Sequence, residues 1–298
     1  ERPDIVHGFT IKCAVYGSLA ARAAGVPGRV NAVAGMGYVF ISNSPKARLL
    51  RPVVRTLLRL ALGGHGARLI LQNPDDVAVF EQARLVDRKN IRLIPGSGVD
   101  CERFRPDGSR PATGPVRVLL PARLLWDKGL AEYVQAARQL RAEGLDIDFL
   151  LAGEPDPGNP ASVPESTVRE WVEEGVLNWL GQVEDMPTLL RSVHVVCLPS
   201  YREGLPKGLI EAGASGCALV TTDVPGCRSV VSDPGVDGLR VPAKNVSALV
   251  DSIRRLSLDR GKIEELGKNA IAKARAAFDE KTVISATIAV YEMLEDVR

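Results

Sequence analysis

Residues 199–216 read PSYREGLPKGLIEAGASG. They are fed by an apolar run, VHVVCLP over 193–199, whose length and β-branched content read as a buried strand. The run empties into a polar turn that carries Glu203 and then Gly204, Leu205, Pro206 and Lys207, after which a small-residue helix holds Glu211. A strand that gives way to a turn and then a helix is the repeating step of an open α/β sheet. Ligands of such sheets collect at the carboxyl ends of the strands. The first N–H groups of the new helix have no intrahelical partner and form a natural site for phosphate. The turn therefore suits a nucleotide diphosphate, with the two acids set about its sugars.

Outward from that turn, short apolar runs alternate with helical patterns, which argues for parallel βαβ units. Strands are expected at 116–121, 147–152, 176–180, 193–198, 218–221 and 238–241. Helices are expected at 131–143, 166–174, 186–191, 247–258, 261–277 and 282–295. A separate block precedes them, with strands at 4–7, 29–33, 68–72 and 91–94 and helices at 13–24, 45–61 and 74–85. It also holds a glycine-rich AGMGYVF at 34–40. Asn73 before Pro74, Asp75 and Asp76 is a helix start with an N-cap, a proline in the first turn and acids facing the positive end. Between the blocks, residues 95–115 are rich in Gly, Pro and Ser without periodicity, which marks a linker. The expectation is two Rossmann-like domains with parallel sheets facing a ligand cleft. Residues 1–107 form the first domain with its linker and 108–279 the second, while 280–298 is a helix packing back toward the first. The chain opens on ERPDIVHGF, the end of a loop and the start of an inner strand, so the first domain is expected to be incomplete.

Composition narrows the function classes. Of 298 residues, 45% are hydrophobic and 25% charged, ordinary for a globular chain with two cores. A net charge of +2 makes no case for nucleic acid. Five cysteines, odd in number and without a CxxC pair, read as reduced core or loop thiols in a reducing compartment. No run of about 18 apolar residues reads as a membrane span. Of the three histidines, His194 falls in a buried strand and is read as structural, and His7 ends the first strand. No metal site gathers ligands, and no Walker-type loop, GxGxxG, HExxH or GxSxG occurs.

Two cations answer the acids. Arg123 lies past the end of a strand and Lys128 near the start of the next helix, in PARLLWDKGL. A cation is disfavoured at a helix N-terminus unless an anion binds there. A guanidinium fork with a mobile ammonium suits a diphosphate; the alternative is two solvated surface charges. Glu211 sits in LIEAGASG, where a carboxylate needs donors such as a ribose diol. For both acids the alternative is capping or a salt bridge. Residues 46–60, KARLLRPVVRTLLRL, alternate Arg48, Arg51, Arg55 and Arg59 with leucines and valines at helical spacing. This reads either as a helix lying on an anionic membrane surface or as a domain helix with a solvated face.

EGLPKGLIE resembles the E-x7-E motif of retaining glycosyltransferases of the GT-B fold, family-4 (group 1) type, and ARLLWDKG resembles their R-x4-K diphosphate motif. The similarity runs through 177–231. Upstream, TIKCAVYGSLAARAAGVPGRV, AGMGYVF, LILQNPDDVAVF and IPGSGVDCERF are similar to the bacterial subgroup that builds lipid-linked oligosaccharides. The resemblance implies transfer of a hexose or N-acetylamino sugar from a UDP-sugar to a polyprenyl-diphosphate-linked glycan at the cytoplasmic membrane face, with no metal or other cofactor. It implies that Arg123 and Lys128 hold the UDP phosphates, helped by Gly204, Leu205, Pro206 and Lys207. It puts Glu203 by the transferred sugar, Glu211 on the ribose and Val183 by the uracil. Relatives carry a further strand–helix block before DIVH and a histidine where Phe9 stands here. The other reading is therefore a nucleotide-sugar-binding fragment without catalysis.

Overall fold

Among the described residues every paired strand runs parallel to its neighbour, in two separate sheets. The structure, a computed structural model, describes residues 3–33 and 45–295, and the backbone alone at 45–48, 51 and 295. The glycine-rich 34–40 and the Arg48 and Arg51 side chains thus lie outside the described residues. The chain divides into two compact units, one made of Glu1–Gly98 with Glu280–Arg298 and the other of Val99–Asp279.

In the first unit, β1 (Ile5–Phe9), β2 (Gly28–Val33), β3 (Ala67–Leu71) and β4 (Ile91–Leu93) pair in that order. The helices are α1 (Thr10–Ala23), α2 (Pro45–Leu62) and α3 (Pro74–Gln82). Asn73 caps α3, its side chain accepting from the Asp76 N–H at 2.8 Å with Pro74 in the first turn. Ala14, Val15, Leu58, Leu62 and Phe80 pack with Leu69 and Leu71 into one core. A second apolar cluster joins Val30, Ile70 and Ile94 to Val283, Val290 and Leu294. The last three lie on the chain's final helix, Glu280–Glu295 (α11).

The second unit begins at Val99, earlier than the 107/108 division expected from composition. The glycine- and proline-rich segment is not a free linker there. Val99, Cys101 and Phe104 are buried in the second unit's core, and the Val99 N–H donates to the Phe278 carbonyl at 2.9 Å. Arg191 donates to the carbonyls of Arg103 and Arg105, and Arg110 to those of Ser215 and Gly216. A run without hydrophobic periodicity is held by arginines that supply the missing backbone partners.

The second sheet contains β5 (Val116–Pro121), β6 (Ile147–Ala152), β7 (Asn178–Trp179), β8 (Val195–Leu198), β9 (Ala218–Thr222) and β10 (Leu239–Val241). Its order is β10-β9-β8-β5-β6-β7. The chain builds outward from β5 through β6 to β7, then returns to the other side of β5 and builds outward again. The order reverses between β5 and β8. The helices are α4 (Leu130–Ala142), α5 (Glu165–Glu173), α6 (Met186–Ser192), α7 (Lys207–Ala214), α8 (Cys227–Val230), α9 (Val246–Leu258) and α10 (Arg260–Lys273). Cores form on both faces, one around Tyr133, Phe149 and Leu266 and the other around Leu119, Leu209 and Phe278. Helix α8 and the short 3-10 turn Trp126–Lys128 carry no periodicity long enough to read in sequence.

Candidate active site

In a doubly wound sheet the crevice for ligands opens at the carboxyl ends of the strands where the order reverses. Here that point lies between β5 and β8, and the expected cations follow β5 while the expected acids follow β8. Strand β8 is buried throughout, so the chain leaves the core directly into the turn. Pro199 and Ser200 remain buried beyond it. The hydroxyl of Thr221 donates to the Leu198 carbonyl at 2.8 Å, and that of Thr222 to the Ser200 carbonyl. Strand β9 thus holds the exit of β8 in place.

Two glycines let neighbouring turns close onto this one. Gly129 has φ +76°, and a Cβ there would run into the Pro199 carbonyl oxygen. Gly226 has φ +78°, and a Cβ there would stand 2.5 Å from the Gly204 oxygen and 2.7 Å from that of Glu203. Only glycine fits this backbone and this spacing. The Tyr201 N–H donates to the Asp127 carbonyl at 2.9 Å, which ties the turn after β8 to the one after β5. The Tyr201 hydroxyl donates to Glu132 at 2.8 Å. Burial and that carboxylate push the phenol up to about 12, so it remains a donor at neutral pH.

This packing brings Lys128 and Glu203 together. The Lys128 Nζ stands 2.6 Å from Glu203 Oε1, with the side chains 21% and 12% exposed. Ser200 Oγ donates to the same oxygen at 2.7 Å. The other expected residues have other partners. Arg123, 64% exposed, pairs with Asp156 at 2.7 Å. Glu211 lies 3.9 Å from the exposed Lys207. Burial raises the Glu211 carboxyl above its ordinary range, against a smaller downward pull from Lys207 and Arg103.

Helix α7 starts at Lys207 behind Pro206, with no side-chain cap and no acid in its first turn. Its positive end is therefore uncompensated. Leu205 and Val183 are half-buried against the second unit's core. Val183 follows Gly181, whose carbonyl accepts from the Gly153 N–H at 2.8 Å beside the carboxyl end of β6. Two carboxylates, two cations and an open helix end share the carboxyl edge of one sheet. That arrangement has the donors to bind a diphosphate and a carboxylate beside its cation.

His194 and His7 have partners of their own. His194 accepts from the Arg117 N–H at its Nδ1 and donates from Nε2 to the Pro111 carbonyl at 2.8 Å, and burial lowers its pKa. In the first unit, His7 Nδ1 lies 2.7 Å from the Tyr291 hydroxyl and the ring stacks on Phe9; burial lowers its pKa too. Sequence reasoning missed Ser200, Tyr201 and Asp156. Ser200 had a signal, since it sits between the strand's last residue and the acid. Asp156 had none, lying in the proline-rich loop after β6.

Residues 115–259 match the family described as Glycosyl transferases group 1, and residues 1–73 that described as Glycosyl transferase 4-like. The chain is 29% identical over 301 aligned positions to the N,N'-diacetylbacillosaminyl-diphospho-undecaprenol alpha-1,3-N-acetylgalactosaminyltransferase of Campylobacter jejuni, covering 97% of this chain and 77% of that one. It is 27% identical to the UDP-Gal:alpha-D-GlcNAc-diphosphoundecaprenol alpha-1,3-galactosyltransferase of Escherichia coli, covering 87% and 68%. Among solved structures, sucrose-phosphate synthase from Thermosynechococcus elongatus superposes with a TM-score of 0.84 at 23% identity, covering 99% of this chain and 74% of that one. The HepE protein of Anabaena, solved in complex with UDP, superposes with a TM-score of 0.80 at 21% identity, covering 98% and 79%. The fold is GT-B, and a glycosyltransferase family is matched in each part of the chain, group 1 over 115–259 and 4-like over 1–73.

Proposed function

We propose that this glycosyltransferase moves a hexose or N-acetylamino sugar from a UDP-sugar, with retention, to a polyprenyl-diphosphate-linked glycan. The observation that carries the donor half is the Lys128–Glu203 pair at the sheet's reversal point, beside the uncapped start of α7. On this reading Lys128 leaves Glu203 for a phosphate oxygen, Arg123 takes the other phosphate, and Glu203 is left beside the sugar. The leaving diphosphate gains charge as the glycosidic bond breaks. Two cations and a helix end offset that charge electrostatically, the role a divalent metal would otherwise fill. Support for the acceptor half is the pair of relatives named for undecaprenol-diphosphate substrates.

The acceptor class makes contact with a membrane surface part of the proposal. No helix among the described residues is long and apolar enough to cross a membrane. Helix α2 nevertheless presents Leu49, Val53, Leu57 and Leu60 to solvent along one side, spaced as one helical stripe, with Leu50 beside them. Arg55 and Arg59 are engaged elsewhere, on the carbonyls of Ala83 and Arg84 at the end of α3. The apolar stripe, more than those arginines, supplies the lipid contact. Serine at 49, 53 and 57 should change stability by no more than about 0.5 kcal/mol per substitution. It should weaken binding to anionic-lipid vesicles roughly tenfold or more. Equal flotation of variant and parent would remove the membrane contact.

Calorimetry with UDP tests the donor. The expected result is saturable heat that Lys128→Ala reduces by at least about tenfold in affinity; no heat from the parent chain sinks the donor reading. Transfer of radiolabelled sugar to an undecaprenyl-diphosphate glycan, unaffected by EDTA, is the expected activity. Loss of turnover on chelation would overturn the metal-independent mechanism. UDP binding without transfer would instead favour a donor-binding module.

A further inference from the structure

The two cations of the site are each held by a carboxylate, and only one of those carboxylates, Glu203, belongs to a recognisable motif. The other is Asp156, whose Oδ2 accepts from Arg123 Nη1 at 2.7 Å. This is not a chance meeting of two surface side chains. Strands β5 and β6 pair in register with Pro121 opposite Ala152, so the segments leaving them start as neighbours. They stay together beyond the sheet. The Leu124 N–H donates to the Glu154 carbonyl at 2.9 Å, the Trp126 N–H to that of Ala161 at 2.8 Å, and the Val163 N–H to that of Leu124 at 2.8 Å. Asp156 is itself pinned, its N–H donating to Ser162 Oγ at 2.9 Å and its carbonyl accepting from the Asn159 N–H at 2.8 Å. The acid is thus built onto the loop that carries Arg123.

We infer that Asp156 is the resting counter-ion of Arg123 and a positioning residue that sets donor affinity by competing with the donor's diphosphate for that guanidinium. The inference rests on the donor reading above. A diphosphate must draw Arg123 out of its ion pair with Asp156, and the lost pairing offsets part of the binding. The same carboxylate holds a long, 64% exposed side chain at the sheet edge. Asparagine at 156 keeps the size and the backbone contacts but removes the charge.

The test is titration calorimetry on the full chain with UDP and, separately, with uridine. Asp156→Asn should bind UDP about two- to fivefold tighter, the range set by one exposed ion pair. The gain should shrink in 0.5 M salt, where the Debye length falls to about 4 Å. It should vanish in an Arg123→Ala background and be absent with uridine, which has no phosphate. A merely structural role would change UDP and uridine binding alike and would not track salt. Unchanged or weaker UDP binding by Asp156→Asn, or a gain that survives Arg123→Ala, overturns the assignment. No UDP heat from the parent chain overturns the donor reading and this inference with it. A binding parent with an indifferent Asp156→Asn overturns the inference alone.

Discussion

Lys128 and Glu203 were each legible from sequence because each closes a strand-to-helix step, but their ion pair was not, since only the sheet order sets those two steps side by side. Arg123 was legible as a residue but not in its partner, since Asp156 lies in a loop whose path is fixed by backbone hydrogen bonds rather than by any pattern. Glu211 was expected to be buried and short of donors, and its raised pKa follows from that burial. A folded-state pKa above the ordinary value means that the folded chain holds the proton more tightly than the unfolded chain. Stability from this group is greatest below the ordinary carboxylate range and declines as pH rises through the raised pKa. On the proposed reading, a ribose diol donates to the ionised form and favours it. UDP affinity should therefore increase with pH upward from about 4.5, with proton release on binding. Calorimetry in two buffers of different ionisation enthalpy reads that release directly. At acid pH Glu211→Gln should release fewer protons on binding UDP than the parent chain does, and equal release by the two would free Glu211 from this role.

At the scale of elements, the βα alternation was readable because strand and helix periods differ, and both sheets follow from it. The turns were not, because their shape depends on contacts between segments distant in sequence. Gly129 is the case in point. In sequence it is one glycine after a lysine. In the structure it is the point where the turn after β5 touches the carbonyl of Pro199. Gly129→Ala should cost about 1–3 kcal/mol, from a strained left-handed backbone and the clash together, and should displace Lys128 from Glu203. Gly144 is a control, with φ +75° and nothing within 4 Å of an added Cβ. Gly144→Ala bears the left-handed strain alone, at about 1 kcal/mol. Chemical denaturation and UDP titration on both variants separate the two effects. The expected pattern is UDP affinity lowered severalfold or more by Gly129→Ala and unchanged by Gly144→Ala. Equal effects on binding would mean that the contact between turns does not position the site.

At the scale of the whole molecule, composition located a boundary region but not its residue. Residues 95–115 lack periodicity, yet the arginines that hold most of that segment, Arg110 and Arg191, lie within it and far along the chain. The final helix has the opposite history. Its apolar residues gave a helix, and the first unit gives that helix its place. Val283, Val290 and Leu294 of α11 complete the cluster around Val30, Ile70 and Ile94. Each such side chain is worth about 1.5–3 kcal/mol when buried, against a typical domain stability of about 5–15 kcal/mol. Val290→Asp sets an unpaired charge in that cluster and should destabilise the first unit by several kcal/mol, roughly 3 or more. The second unit has its own cores on both faces of its sheet and contains every residue proposed to meet the donor. The variant should therefore unfold in urea with an early transition for the first unit and an unshifted one for the second, while UDP heat persists and transfer to the lipid-linked acceptor is lost. A single transition, with UDP binding lost in step with the first unit, would show that the donor site depends on both units for its integrity.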